Sequence, residues 1–235
     1  MVNGGRQDKV KYKYYIRTIS HDIADNFLKR HHYLAQQGNG FLSKKNYGLF
    51  REDGVFVGVL TFGGISVIQT LIGAFDGFER FSSQEGFWEL TRLAMDDATK
   101  ERNLTSWFVS RCIKTLRKDE YVRAIISYAD SKYHHGYIYQ ATNFKYYGLS
   151  PLKSDFYEDL GGVERQIWRG SVKNLKGEWR VRSRKHRYML VYDDSLVIKW
   201  KEEKYPKGDN TEYMLHTPNE YQFLIFDFMG GKANV

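Results

Sequence analysis

Arg92 and Asp130 are the residues of this sequence best placed to do chemistry. Arg92 sits in Phe87–Met95 (FWELTRLAM), and Ala124–Ala129 (AIISYA) ends at Asp130. Both stretches read as strands: large apolar residues alternate in the first and run together in the second, as in a buried parallel strand. Ligands of open α/β sheets bind at the carboxyl ends of strands. An arginine and an aspartate near those ends, on neighbouring strands, are expected to face one cleft. There a carboxylate can orient or deprotonate an amine, and a guanidinium can steady a developing negative charge. A structural ion pair is the plainer alternative.

The elements that must hold these two residues can be read in order. Tyr14–Ile19 alternates as a strand, and Ser20 is placed to cap a helix from His21 to about His32, with Ile23, Ala24, Phe27 and Leu28 at helical spacing. Tyr47–Phe50 and Val55–Phe62 flank the turn Arg51-Glu52-Asp53-Gly54 as a hairpin that runs into Gly63-Gly64. Residues 65–85 read as a loop-like insertion with one short helix. After FWELTRLAM comes a polar turn, Asp96–Asn103. An amphipathic helix over Thr105–Leu116 follows, with Trp107, Phe108, Ile113 and Leu116 as its core face. A helix within Gly136–Phe144, an extended Tyr146-Tyr147, a strand over Val163–Arg169 and another over Tyr188–Tyr192 complete the pattern. A strand–helix–strand crossover at the centre implies a parallel pair in a mixed α/β sheet.

Composition bounds the function. The 235 residues are 42% hydrophobic and 16% aromatic, enough for a packed core and against a disordered chain. Cys112 is the single cysteine, which excludes an internal disulfide and a cysteine-rich zinc site; its helical position marks it as core and not a nucleophile. With no secretory signal and no apolar run of membrane-spanning length, the chain is expected to be soluble and intracellular. The net charge of +8 suggests a polyanionic partner. Its densest cluster is Arg180, Arg182, Arg184, Lys185, His186 and Arg187, flanked by Trp179 and Tyr188. Such a stretch can follow phosphates while aromatics stack on an extruded base, or it can be a solvated basic edge strand.

The series ELTRLAMDD, ISYAD and GYIYQATNFKYYG, spread over the central stretch of the sequence, resembles the phage Mom family of DNA-modification proteins, which belongs to the GNAT superfamily of acyltransferases. The resemblance covers roughly residues 14–150 and fades beyond Tyr192. It implies an α/β fold with a GNAT-like central mixed sheet flanked by helices, the catalytic domain spanning 1–192 with the basic segment 171–192 and an extension of unknown role over 193–235. It also implies a transferase that places a carbamoylmethyl group on the exocyclic nitrogen of adenine in double-stranded phage DNA, protecting it from host restriction, in the cytoplasm of the infected bacterium. The residues matching the family's motifs are Arg92, Asp130, Tyr139 and, from the His32-Tyr33 pair, His32. Tyr139 would donate a proton or stack on a base, or simply pack. Chemistry at that nitrogen calls for base flipping.

GNAT enzymes grip the donor's pyrophosphate with a glycine-rich loop at a helix start. The corresponding loop here, Asp97–Ser106, has no glycine. Lys100, Arg102, Asn103, Thr105 and Ser106 are left to bind a phosphate through side chains and the helix start. The donor stays open between acetyl-CoA and another acyl or aminoacyl donor, small or carrier-bound. A metal ion is a further possibility, with His31, His32, His134 and His135 as candidate ligands, at most one from each adjacent pair. Two other readings stand beside the first: a GNAT-type N-acetyltransferase acting on a small amine or a protein, and a non-catalytic DNA-binding anti-restriction protein.

Overall fold

The computed structural model describes residues 13–32, 40–99, 101–161, 164–167, 172 and 175–207. Their contacts divide into two compact units. One holds the described residues up to Ser127 with Leu190–Trp200, and the other holds the described residues of Tyr128–Met189 with those from Lys201 to Lys207. Tyr33, Lys100, Val163, Ser171 and everything beyond residue 207 lie outside the described residues.

The first unit opens with β1 (Tyr14–Thr18) and α1 (His21–His31). Ser20 caps α1 as the sequence predicts: its side chain accepts a hydrogen bond from the Ile23 amide at 3.3 Å. Asp22 in the first turn and Lys29 and Arg30 in the last complement the helix dipole. Ala24, Phe27 and Leu28 are buried, but Ile23 is 48% exposed and drops out of the predicted apolar face. The hairpin joins β2 (Lys45–Arg51) to β3 (Phe56–Gly64), with Gly54 at φ +87° in its turn. A short α2 (Gln69–Ala74) lies in the expected insertion. Then come β4 (Phe87–Met95), α3 (Leu104–Asp119) and β5 (Ala124–Asp130), whose last residues belong to the second unit.

Strand order in this unit is β1-β2-β3-β4-β5. The first three pairings are antiparallel and β4 runs parallel to β5, so the sheet is mixed, with helices packed on it. The parallel ladder covers Phe87–Leu90 against Ala124–Ser127, although β4 continues to Met95. On one face α1 packs Ala24, Phe27 and Leu28 against Val59 and Ala94. On the other lie Tyr47 and Phe62, rings 6.1 Å apart, beneath α3, which buries Leu104, Phe108, Val109, Cys112, Ile113 and Leu116. Trp107 is not part of that core face, contrary to the periodic reading; it is half-buried, with Arg111 over its ring.

The second unit contains α4 (Tyr137–Gln140), β6 (Lys145–Leu149) and all but the last two residues of β10 (Lys185–Val191), which pairs antiparallel with β6. A separate antiparallel sheet in the order β8-β7-β9 is built from β7 (Lys153–Asp159), β8 (Glu164–Ile167) and β9 (Gly177–Arg182). Of these three, the sequence pattern anticipates β8, and the edge-strand alternative for the basic segment overlaps β9; β7 is not anticipated.

Candidate functional site

A β-bulge decides which side chains share a face with Arg92 in the first unit. Across β3 and β4, Arg92 lies opposite Thr61 but Leu90 lies opposite Phe62, so Thr91 is one residue too many for the ladder. In a regular strand residues 89 and 92 point to opposite faces. The bulge resets the alternation, and Glu89, opposite Gly63, comes to share a face with Arg92 and Thr61. Val59 and Ala94 lie on the same face, where α1 covers them. Beyond the helix the face turns polar.

That polar stretch is tightly organised. Thr61 and Thr91 meet through their hydroxyls at 2.7 Å. Arg92 donates to the Thr91 carbonyl at 2.8 Å and to the Gly40 carbonyl at 3.2 Å, with its guanidinium 6.0 Å from the Phe41 ring centre. Gly63 is needed here, because a Cβ would stand 2.9 Å from the Leu42 carbonyl oxygen. Asn46, opposite Thr61 on β2, is buried, and its Oδ1 accepts no hydrogen bond from the described residues. Burial pushes the Glu89 carboxyl up to about 7, against the lowering influence of Arg92 and of the Ser66 amide. A carboxyl half-ionised at neutral pH is poised to take a proton. Glu89 is not among the residues that motif or spacing singles out; the one signal for it is a lone acid inside an otherwise apolar strand. His32 is buried at the C-cap of α1, its amide bonded to the Leu28 carbonyl at 2.8 Å.

In the second unit Asp130 is buried at the end of β5. Its carboxylate is ion-paired to Lys185 and accepts the Lys132 amide at 2.9 Å. Burial alone would raise this carboxyl, but hydrogen bonds from Lys185, Ser183 and the Lys132 amide, with the charge of Lys185, hold it below the usual carboxylate range. Asp130 is therefore a persistent anion and a hydrogen-bond acceptor, poorly matched to removing a proton at neutral pH. Its folded pKa lies below the unfolded one, so its stabilisation is complete above the unfolded value and fades as pH falls through the folded value. Asp130→Asn is expected to flatten the acid side of a urea-stability profile below about pH 5; an unchanged acid limb would show that the ion pair contributes nothing. Tyr139 is buried in α4, its ring 5.1 Å from Tyr188 and 5.4 Å from Phe144, and its hydroxyl reaches the Tyr128 carbonyl at 3.5 Å. Core packing accounts for the ring and leaves the hydroxyl as its chemical end.

The donor loop takes an unusual turn. Asn103 adopts φ +62° before α3 and makes no side-chain cap. Ser106 donates its hydroxyl to the Asn103 carbonyl at 3.0 Å, and Arg102 and Asn103 are exposed. Thr105 and Ser106 stand in the first turn of α3, where helix amides have no intrahelical acceptor.

The basic segment is mostly turned to building its own unit. His186 is fully buried, its Nδ1 2.8 Å from the Tyr146 hydroxyl, so it cannot meet an outside phosphate, and the sequence-based expectation for it is corrected. Arg184 donates to the Ser150 carbonyl at 2.6 Å, Lys185 pairs with Asp130, and Arg187 donates to the Tyr147 carbonyl at 2.5 Å. Arg180 pairs with Glu178 and lies over Tyr157; Arg182 sits 3.5 Å from Asp155. These last two stay partly exposed, each with an acid beside it.

Among the described residues no three His, Cys, Asp or Glu side chains converge as metal ligands, and no helix is long and apolar enough to cross a membrane. An open crevice of about 400 Å³, lined by Asp76, Phe78, Ser82, Arg123 and Ser195 among others, lies near the beginnings of β4 and β5, at the end of β4 away from Arg92.

The sequence matches the model of the Mom protein family over residues 13–207. No protein of curated function matches it. Solved structures similar to it include an acetyltransferase of Bacillus subtilis in complex with CoA, at 14% identity and TM-score 0.46 over 77% of this chain and 99% of that one. A GNAT family acetyltransferase of Elizabethkingia anophelis with acetyl-CoA bound is 11% identical, TM-score 0.46, over 76% and 98%. The ribosomal-protein-S5-alanine acetyltransferase of Vibrio fischeri is 13% identical, TM-score 0.45, over 80% and 95%.

Proposed function

The chain belongs to the Mom protein family, and from that premise we propose that it is a transferase modifying the exocyclic amine of adenine in double-stranded DNA. The family match spans every nominated catalytic residue, from His32 to Tyr139. The observation that carries the reading is the placement of Glu89 and Arg92 on one face of β4 by the bulge at Thr91.

An exocyclic adenine amine is a weak nucleophile because its lone pair is delocalised into the ring. It needs a group that takes its proton as the new N–C bond forms. Glu89, with its carboxyl raised to about 7, supplies that acceptor. Arg92, fixed by the Thr91 and Gly40 carbonyls, supplies positive charge where negative charge grows on the donor. Asp130 and Tyr139, in the second unit, stand beside these as further candidate residues matching the family's motifs, a buried carboxylate and a buried phenol. His32 is a buried imidazole within the first unit.

The donor is an electrophile carrying a leaving group: acetyl-CoA or another acyl or aminoacyl compound. The edge of β4 beyond Leu90 is unpaired by β5 and suits an extended donor with amide groups. Arg102, Asn103, Thr105 and Ser106, with Lys100, are the residues offered to a donor phosphate.

Nucleoside mass spectrometry tests the reading on plasmid DNA from cells expressing the protein, beside Glu89→Gln and Asp130→Ala. A new adenine derivative in the wild type alone is the expected result, and its mass identifies the transferred group. Unmodified DNA from well-expressed wild type would count against DNA as the acceptor.

A further inference from the structure

The outward face of α3 carries a line of cations that no carboxylate among the described residues answers. Arg111, Lys114 and Lys118 follow one another at i, i+3 and i+7, with Trp107 one turn before Arg111. The buried residues of the helix, Phe108, Val109, Cys112, Ile113 and Leu116, occupy the opposite side. All three cations are exposed, and the Arg111 guanidinium lies 5.4 Å from the Trp107 ring centre. Among the described residues no carboxylate stands within ion-pair distance of any of the three. Glu120, the acid that follows the helix, pairs with Lys45. The contrast with the basic segment is direct, since each of those side chains has a partner within its own unit.

We propose that this face of α3 grips the sugar-phosphate backbone of duplex DNA; the inference rests on DNA being the substrate and adds where it is held. From Arg111 to Lys118 the helix rises about 10 Å, which matches the axial rise of about three phosphates of one strand of a duplex. Three cations without a carboxylate partner among the described residues are free to release counterions from phosphates, the main source of sequence-independent affinity. Trp107 keeps Arg111 extended along the helix surface. α3 covers the side of the sheet opposite to that bearing Glu89 and Arg92. The stretch of DNA held there is therefore not the stretch whose base is being modified. The contact supplies affinity and no base choice.

The test is a fluorescence-anisotropy titration of the full chain with a long labelled duplex over a salt series. Wild type is compared with Arg111→Ala/Lys114→Ala/Lys118→Ala, with the charge-keeping Arg111→Lys/Lys114→Arg/Lys118→Arg, and with Arg180→Ala/Arg182→Ala. The alanine triple is expected to bind at least about tenfold more weakly at low salt. Its plot of log affinity against log salt should be shallower by about three, and the charge-keeping triple should restore both. Arg180→Ala/Arg182→Ala should change affinity less than the alanine triple. The inference is overturned if the alanine triple keeps wild-type affinity and slope, if the charge-keeping triple fails to rescue, or if the Arg180/Arg182 pair carries the loss. It is also overturned if the alanine triple loses binding to vesicles of anionic phospholipid while its binding to duplex is unaltered. No donor enters the titration. A failed catalytic reading shows in the mass spectrum, and a failed α3 contact shows in the salt slope.

Discussion

Glu89→Gln should lower the rate of adenine modification by about 10²- to 10⁴-fold, the range that a positioned proton acceptor supplies. The glutamine side chain keeps the size and shape of glutamate and removes its basicity. The wild-type rate should rise with pH and level off above about 7, because the carboxyl accepts a proton only when ionised and burial raises it to about 7. The variant should lose that limb. Stability should move the other way. A carboxyl whose folded pKa exceeds its unfolded one favours the folded state at low pH, and that advantage is lost as pH rises towards the folded value. Above pH 7 the wild type holds a partly desolvated anion that the variant lacks, so Glu89→Gln should be as stable or more stable there. The gain is about 1–2 kcal/mol once the water around this half-buried group is allowed for. Loss of rate with gain of stability marks a residue kept for chemistry. Measured pH–rate and urea curves on the two proteins decide it; equal rates would remove Glu89 from the mechanism.

Gly136→Ala should cost about 2–4 kcal/mol in the second unit, from backbone strain and overpacking together. Gly136 has φ +81°, and a Cβ there would lie 2.7 Å from the Tyr188 ring, 2.8 Å from the Tyr139 ring and 2.9 Å from the Ala129 methyl. The two rings are themselves fixed: Tyr188 bonds through its hydroxyl to the His135 carbonyl, and Tyr139 is wedged against Phe144. Gly54→Ala makes the comparison clean. Gly54 has a similar φ of +87° but open space around it, so its cost should be the backbone part alone, about 1 kcal/mol. Urea midpoints of the two variants measure the difference. Equal losses would mean that the ring cluster adapts and that Gly136 is required by its backbone alone.

The sequence is most readable where one periodicity runs undisturbed. Phe87–Met95 and Ala124–Asp130 have the bounds their patterns imply, and Ser20 starts α1 where its side chain can cap it. Legibility fails at β7. Lys153–Asp159 buries Ser154 and Phe156 among charged neighbours, and two residues give no alternation to detect. The basic segment misleads for a different reason. Charge density is local, but the acids that answer it are not: Asp155 lies far along the chain from Arg182, and Asp130 is 55 residues from Lys185. Trp107 and Ile23 are apolar side chains at helical spacing that the fold leaves at the margin, because spacing fixes a direction around the helix and not what stands there. As for the site, Arg92 is visible as a residue and its relation to Glu89 is not. Alternation assigns the two to opposite faces, and a bulge cannot be read from side-chain types.

That bulge makes the length of β4 between Glu89 and Arg92 matter more than the identity of the residues within it. Thr91 acts as a spacer: a different side chain at 91 leaves the carboxylate and the guanidinium in phase, whereas one residue more or fewer throws them out of phase while every chemical group is retained. Relatives of this protein would then tolerate substitution at that position far better than insertion or deletion. An alignment that opened a gap there would hide the loss of the site behind two matched columns.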